Sequence, residues 1–87
     1  MSSLYRFPKC SKASHNPEST QIVKVLEEVY ELAEAHNEDC FDSWSILEET
    51  WDVIHAAEGV LRKYTKEQVE AAREAVEVKN RNRGYYE

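Results

Sequence analysis

The stretch TQIVKVLEEVYELAEAHN, Thr20–Asn37, decides the fold. Its apolar residues Ile22, Val25, Leu26, Val29, Leu32 and Ala33 recur at the three-and-four spacing of one helix face, and no Gly or Pro interrupts them. The acidic residues are the puzzle. Glu27, Glu28 and Glu31 stand inside a run that otherwise reads as the buried side of a helix. Ionised carboxylates are costly to remove from water unless a cation meets them.

Upstream, HNPEST supplies a helix start: Asn16 as cap, Pro17 at the first helical position and Glu18 at the positive end of the dipole. Residues 1–15 read as an N-terminal arm anchored by Leu4, Tyr5 and Phe7 and closed by Pro8, either loosely packed or strapped across a partner surface. Downstream, HNEDCFDS is a connector, with Asp42 or Ser43 as the cap of a second helix from about Trp44 to Tyr64. That helix is apolar on two sides. Leu47, Trp51, Ile54 and Leu61 form one stripe, and Val53, Ala57, Val60 and Tyr64 form another. A central helix with neighbours on both sides is expected, one of them in another subunit. TKEQ at Thr65–Gln68 is a capping box for a third helix, with Val69, Ala72 and Val76 on one face, fraying into VKNRNRGYYE. The expected architecture is all-α: residues 16–87 form one domain, an antiparallel bundle of about three helices per chain completed by dimerisation, with a dimer of dimers as a further option.

Composition agrees. The chain has 87 residues, 32% charged, with only two Gly and two Pro among many helix formers. A domain this short buries a modest share of its surface, so association with a second copy is a natural supplement. The net charge of −6 argues against a surface that neutralises nucleic-acid phosphates. An acidic protein still binds a nucleotide where a divalent metal bridges the two anions. Cys10 and Cys40 are too few for a disulfide framework or a four-ligand zinc site and read as free thiols. The opening stretch carries no apolar run of signal-peptide length, and nothing approaches the roughly 20 apolar residues of a membrane span, so a cytoplasmic protein without membrane contact is expected.

The carboxylates repeat on the second helix. Residues three apart project from neighbouring turns of one face, which pairs Glu28 with Glu31 and, in EETWD, Glu49 with Asp52. One such pair is commonplace on a solvated helix face. Two pairs, on successive helices and both beside apolar stripes, are a more specific pattern. If the helices pack antiparallel, as their short connector implies, four carboxylates converge on one volume. Hard divalent cations take oxygen ligands, and magnesium typically keeps several waters while accepting a few carboxylates and substrate phosphates. Magnesium, or manganese in its place, is the expected cofactor.

KVLEEVYELAEAHNE (Lys24–Glu38) and ILEETWDVIHAAEGVL (Ile46–Leu61) resemble the two signature segments of the MazG-type all-α nucleoside triphosphate pyrophosphohydrolases, whose pattern is EExxE, a gap, then ExxD. The resemblance covers Thr20 through Leu61, about half the chain, and the tail KNRNRGYY is similar to the basic ending of short phage-type members. It implies an enzyme that splits NTP or dNTP into monophosphate and pyrophosphate, working as a homodimer or homotetramer. It further implies Glu28, Glu31, Glu49 and Asp52 as magnesium ligands, with Glu27 as ligand of a further metal or base for the attacking water. The chain is shorter than most members and lacks a long fourth helix. Phosphate contacts would come from Lys79, Asn80 and Arg83, or from a partner subunit.

Other residues carry weaker signals. Lys79, Asn80, Arg81 and Arg83 also suit a helix C-terminus electrostatically, with Gly84 as the stop. Trp44 and Trp51, at heptad spacing, read as core or interface, and Tyr85 and Tyr86 as a docked tail. His55, three residues after Asp52, invites comparison with carboxylate-bridged di-iron bundles, but the first helix offers no matching His, and a boundary position fits His55 better. His15, His36, Cys10 and Cys40 have no compelling spacing. The competing reading is a non-enzymatic helical oligomerisation or protein-interaction module of the same fold.

Overall fold

In a computed structural model, residues 4–37 and 42–87 are described, and among them the chain is all-helical: α1 (Ser11–His15), α2 (Glu18–Asn37), α3 (Ser43–Leu61) and α4 (Lys66–Asn82). Cys40 and most of the expected connector lie outside the described residues.

Local chemistry sets the helix ends. Asp42 caps α3, accepting from the Ser45 backbone N–H at 2.8 Å. Thr65 and Gln68 form the full reciprocal capping box on α4. Gly84, at φ 77°, ends the helix just beyond α4 in the left-handed region that costs glycine little. Two expectations change here. Asn16 closes α1, and its side-chain amide donates to Gln21 Oε1 at 3.1 Å. The basic end does not fray: Lys79, Asn80 and Arg81 are helical, Arg83 is the C-cap, and Glu77 pairs with both Arg73 and Arg81.

α2 packs on α3 in antiparallel sense: Gln21, early in α2, meets Ala56 late in α3, while Glu31 meets Glu49 near the start of α3. The crossing is pinned by a polar contact. Gln21, 3% exposed, donates its Nε2 to the Ala56 carbonyl at 3.0 Å. Gly59 makes room, because a Cβ there would stand 2.6 Å from Gln21 Nε2 and 3.1 Å from the Ala13 Cβ. The covered face of α2 is therefore Gln21, Val25, Glu28, Leu32 and Ala35, while Ile22, Leu26 and Val29 of the expected stripe remain exposed. Glu28 lies in the middle of that covered face. On α3, Val53, Ala57 and Val60 are half-buried, whereas Leu47, Trp51, Ile54 and Leu61 are exposed.

The N-terminal arm is strapped across its own chain. The buried Glu58 carboxylate accepts the backbone N–H groups of Arg6 (2.8 Å) and Phe7 (3.1 Å), and Arg62 donates to the Phe7 carbonyl at 2.8 Å. Arg62 also stacks on Tyr5, 3.9 Å from the ring centroid, while Phe7 stacks on His55 and meets Trp51 edge-on. Lys63 Nζ then donates to the carbonyls that end α1, those of Ala13 and Asn16.

α4 is the exception to close packing. Val69 is buried at its start, but Ala72, Val76 and Val78 are exposed, and no described helix packs along its length. The radius of gyration, 15.0 Å, exceeds the about 12 Å typical of a packed domain of this length. No described helix is long and apolar enough to cross a membrane.

Candidate metal centre

The antiparallel α2–α3 packing brings Glu28, Glu31 and Glu49 together: one carboxylate oxygen of each lies within 4.8 Å of the other two. Glu28 is 8% exposed, Glu49 is half-buried and Glu31 reaches the surface. Two oxygens, Glu28 Oε2 and Glu49 Oε2, are buried without a hydrogen-bond partner. A buried acceptor left unmade costs about 1–3 kcal/mol and calls for an explanation such as an ion or ordered water.

The electrostatics divide the three acids. Lys24, one turn before Glu28, donates from Nζ to Glu28 Oε1 at 2.8 Å, and this holds the Glu28 carboxyl below the usual range despite its burial. Glu31 is pushed up, chiefly because its protonated form can donate to the neighbouring Glu28 carboxylate, and then by that residue's charge. Glu49 is also pushed up, first by burial and then by the charges of Asp52 and Glu28. The group resists full ionisation on its own, as carboxylates sharing one small space do. A hard divalent cation among these oxygens relieves both the repulsion and the orphaned acceptors, so the residues present fit magnesium or manganese.

Asp52 is one turn further along α3, exposed, and outside the three-oxygen group. With Glu27, Glu28, Lys24 and His55 it lines an adjoining cavity of about 370 Å³ between α1, α2 and α3. Glu27 is exposed at that cavity, 4.0 Å from Lys24 Nζ. Lys79 and Arg83 line a separate groove on α4 whose acidic residue is Glu74 and which contains none of these carboxylates, and Asn80 is half-buried on the same helix. Within one chain, α4 makes no extensive contact among the described residues with the helices that carry the acidic group. His55 lies outside the three-carboxylate group and stacks on Phe7 with centroids 4.6 Å apart.

Sequence reasoning passed over Lys24, Gln21 and Glu58. Lys24 was legible as an i,i+4 partner of Glu28. Gln21 shares heptad phase with Glu28. Glu58 carried no signal, because its partners are backbone amides far away in the chain.

No family model matches the chain, and neither a curated protein nor a solved structure matches it significantly.

Proposed function

We propose that the chain is a magnesium-dependent nucleoside triphosphate pyrophosphohydrolase, converting NTP or dNTP and water to the monophosphate and pyrophosphate. The observation that carries this reading is the convergence of Glu28, Glu31 and Glu49 with two buried, partnerless oxygens. The EExxE and ExxD spacings, similar to those of MazG-type enzymes, give the reaction class.

In this reading Glu28, Glu31 and Glu49 would hold the metal, and Asp52, at the adjoining cavity, would join them if its side chain turned toward the group. When bound, the metal would supply charge neutralisation for the triphosphate and would make a nearby water more acidic. Glu27, exposed at the same cavity, accepts the proton as the water oxygen attacks the α-phosphorus. The α–β bridging bond breaks, and pyrophosphate leaves with that bond's electron pair. Lys79, Asn80 and Arg83 contribute phosphate contacts from the α4 of a second copy.

The exposed apolar surface supports a second copy. Leu47, Trp51, Ile54 and Leu61 on α3, Ile22, Leu26 and Val29 on α2, and Val76 on α4 are all more than a third exposed, and only Ala13, Ala56 and Val69 are buried apolar residues among those described. So small a core stabilises a domain poorly, and a homodimer or homotetramer covers the exposed stripes. The same surface favours the second reading, an oligomerisation module without chemistry, in which the acidic group has no catalytic part.

Glu49→Gln and Glu28→Gln test the two readings. The hydrolase loses metal-dependent pyrophosphate release, by about two orders of magnitude or more, with helicity and oligomeric state retained. The module shows no turnover to lose.

A further inference from the structure

The cation that meets Glu28 within the chain is not on α4. We propose that Lys24 is a substrate-binding residue of this site, held on Glu28 until a divalent metal arrives and then turned toward the phosphates of the bound nucleotide. This inference rests on the metal-dependent hydrolase reading.

Lys24 Nζ takes up Glu28 Oε1 at 2.8 Å, leaving only the orphaned Oε2 free for a metal. The Lys24 side chain is nevertheless half exposed and lines the cavity shared by Glu27, Glu28 and Asp52, where a metal-bound triphosphate would extend. The Lys24 end of the pair is half exposed while the Glu28 carboxylate is largely buried, so the ammonium leaves only when another cation takes its place on Glu28, and the flexible four-carbon stem then lets it swing away. A divalent charge beside Glu28 repels the ammonium, and triphosphate oxygens attract it. Lys24 therefore opposes metal alone and favours metal with polyphosphate, which couples the two ligands.

Calorimetric titration of the whole chain distinguishes this role from a structural one. The two probes are Mg²⁺ alone and the preformed 1:1 complex of Mg²⁺ with inorganic triphosphate. Lys24→Met keeps length and helix propensity and removes the charge. Mg²⁺ alone is expected to bind it more tightly, by roughly threefold or more, and Mg²⁺–triphosphate more weakly by a similar factor. Lys24→Arg keeps the wild-type pattern. Shifts of Lys24→Met in the same direction for both probes, or no shift in either, overturn the proposal, as does failure of Lys24→Gln to reproduce the opposite shifts. Should wild type bind Mg²⁺ and Glu49→Gln lose it while Lys24→Met changes nothing, Lys24 is excluded and the metal reading stands. Should no form bind Mg²⁺ with or without triphosphate, the metal reading falls and the Lys24 role with it.

Discussion

Gln21 Nε2 donates to the Ala56 carbonyl at 3.0 Å across a gap that Gly59 keeps open, since a Cβ at Gly59 would stand 2.6 Å from that same nitrogen. This contact sets the depth at which α2 seats on α3, and with it the approach of Glu28 and Glu31 to Glu49. Gly59→Ala gains about 1 kcal/mol of helix propensity. Against this, it forces the buried amide off its acceptor, a loss of about 1–3 kcal/mol for the stranded groups. We expect net destabilisation of up to about 2 kcal/mol by chemical denaturation, together with weaker metal binding. A more stable Gly59→Ala chain would show that Gln21 yields without loss.

The N-terminal strap depends on one carboxylate. Glu58 accepts two backbone N–H groups, and hydrogen bonds to charged groups contribute about 1.5–3 kcal/mol each. Glu58→Gln, which replaces one acceptor oxygen with a donor, should release residues 4–10. Hydrogen exchange at the Arg6 and Phe7 amides should quicken by at least about tenfold, while the α2–α3 crossing keeps its protection.

How far the sequence could be read follows from these contacts. Helix periodicity, the Thr65 capping box and the Asp42 cap are local, and each is present in the structure. The choice of α2 face was not local. Gln21 and Glu28 occupy core positions, yet a reading based on hydropathy passes over polar residues and favours Ile22, Leu26 and Val29. The strap was hidden for a related reason: a carboxylate that binds backbone amides some fifty residues away leaves no pattern in side-chain types. In the acidic site, three of the four expected ligands converge, because Glu31 and Glu49 follow from helix spacing and antiparallel packing. Asp52 stays apart: one turn further along α3, it is exposed and lies outside the three-oxygen group.

Acid should weaken metal-linked stability. Glu31 and Glu49 are raised above the usual carboxylate range. Raised acids bind more protons in the folded than in the unfolded chain, so metal-free stability falls as pH rises through their range. Glu28, held low by Lys24, does the opposite: its contribution is present above the usual range and is lost on acidification below it. Because both are raised, protons compete with metal for Glu31 and Glu49 at pH values above the ordinary Glu range. The rise in Tm produced by saturating Mg²⁺ at about pH 7 should therefore shrink steadily toward about pH 5, and Glu49→Gln should flatten that dependence.

The exposed α3 stripe should be an interface. A single chain has a mass of 10.2 kDa, and sedimentation should give at least twice that value. Tm should rise with protein concentration, as expected when folding and association are linked. Trp51→Glu, which places a charge in the middle of the stripe, should abolish the concentration dependence and lower stability by several kcal/mol.

The central claim is a metal-dependent cleavage between the α- and β-phosphates. Pyrophosphate release from a panel of canonical and damaged NTPs and dNTPs, measured with Mg²⁺ and again with EDTA, tests it most directly. We predict release from at least one member of the panel, abolished by EDTA and restored by Mn²⁺. No release from any member, with no metal-dependent nucleotide binding, would contradict the account and leave a helical assembly module whose acidic group performs no chemistry.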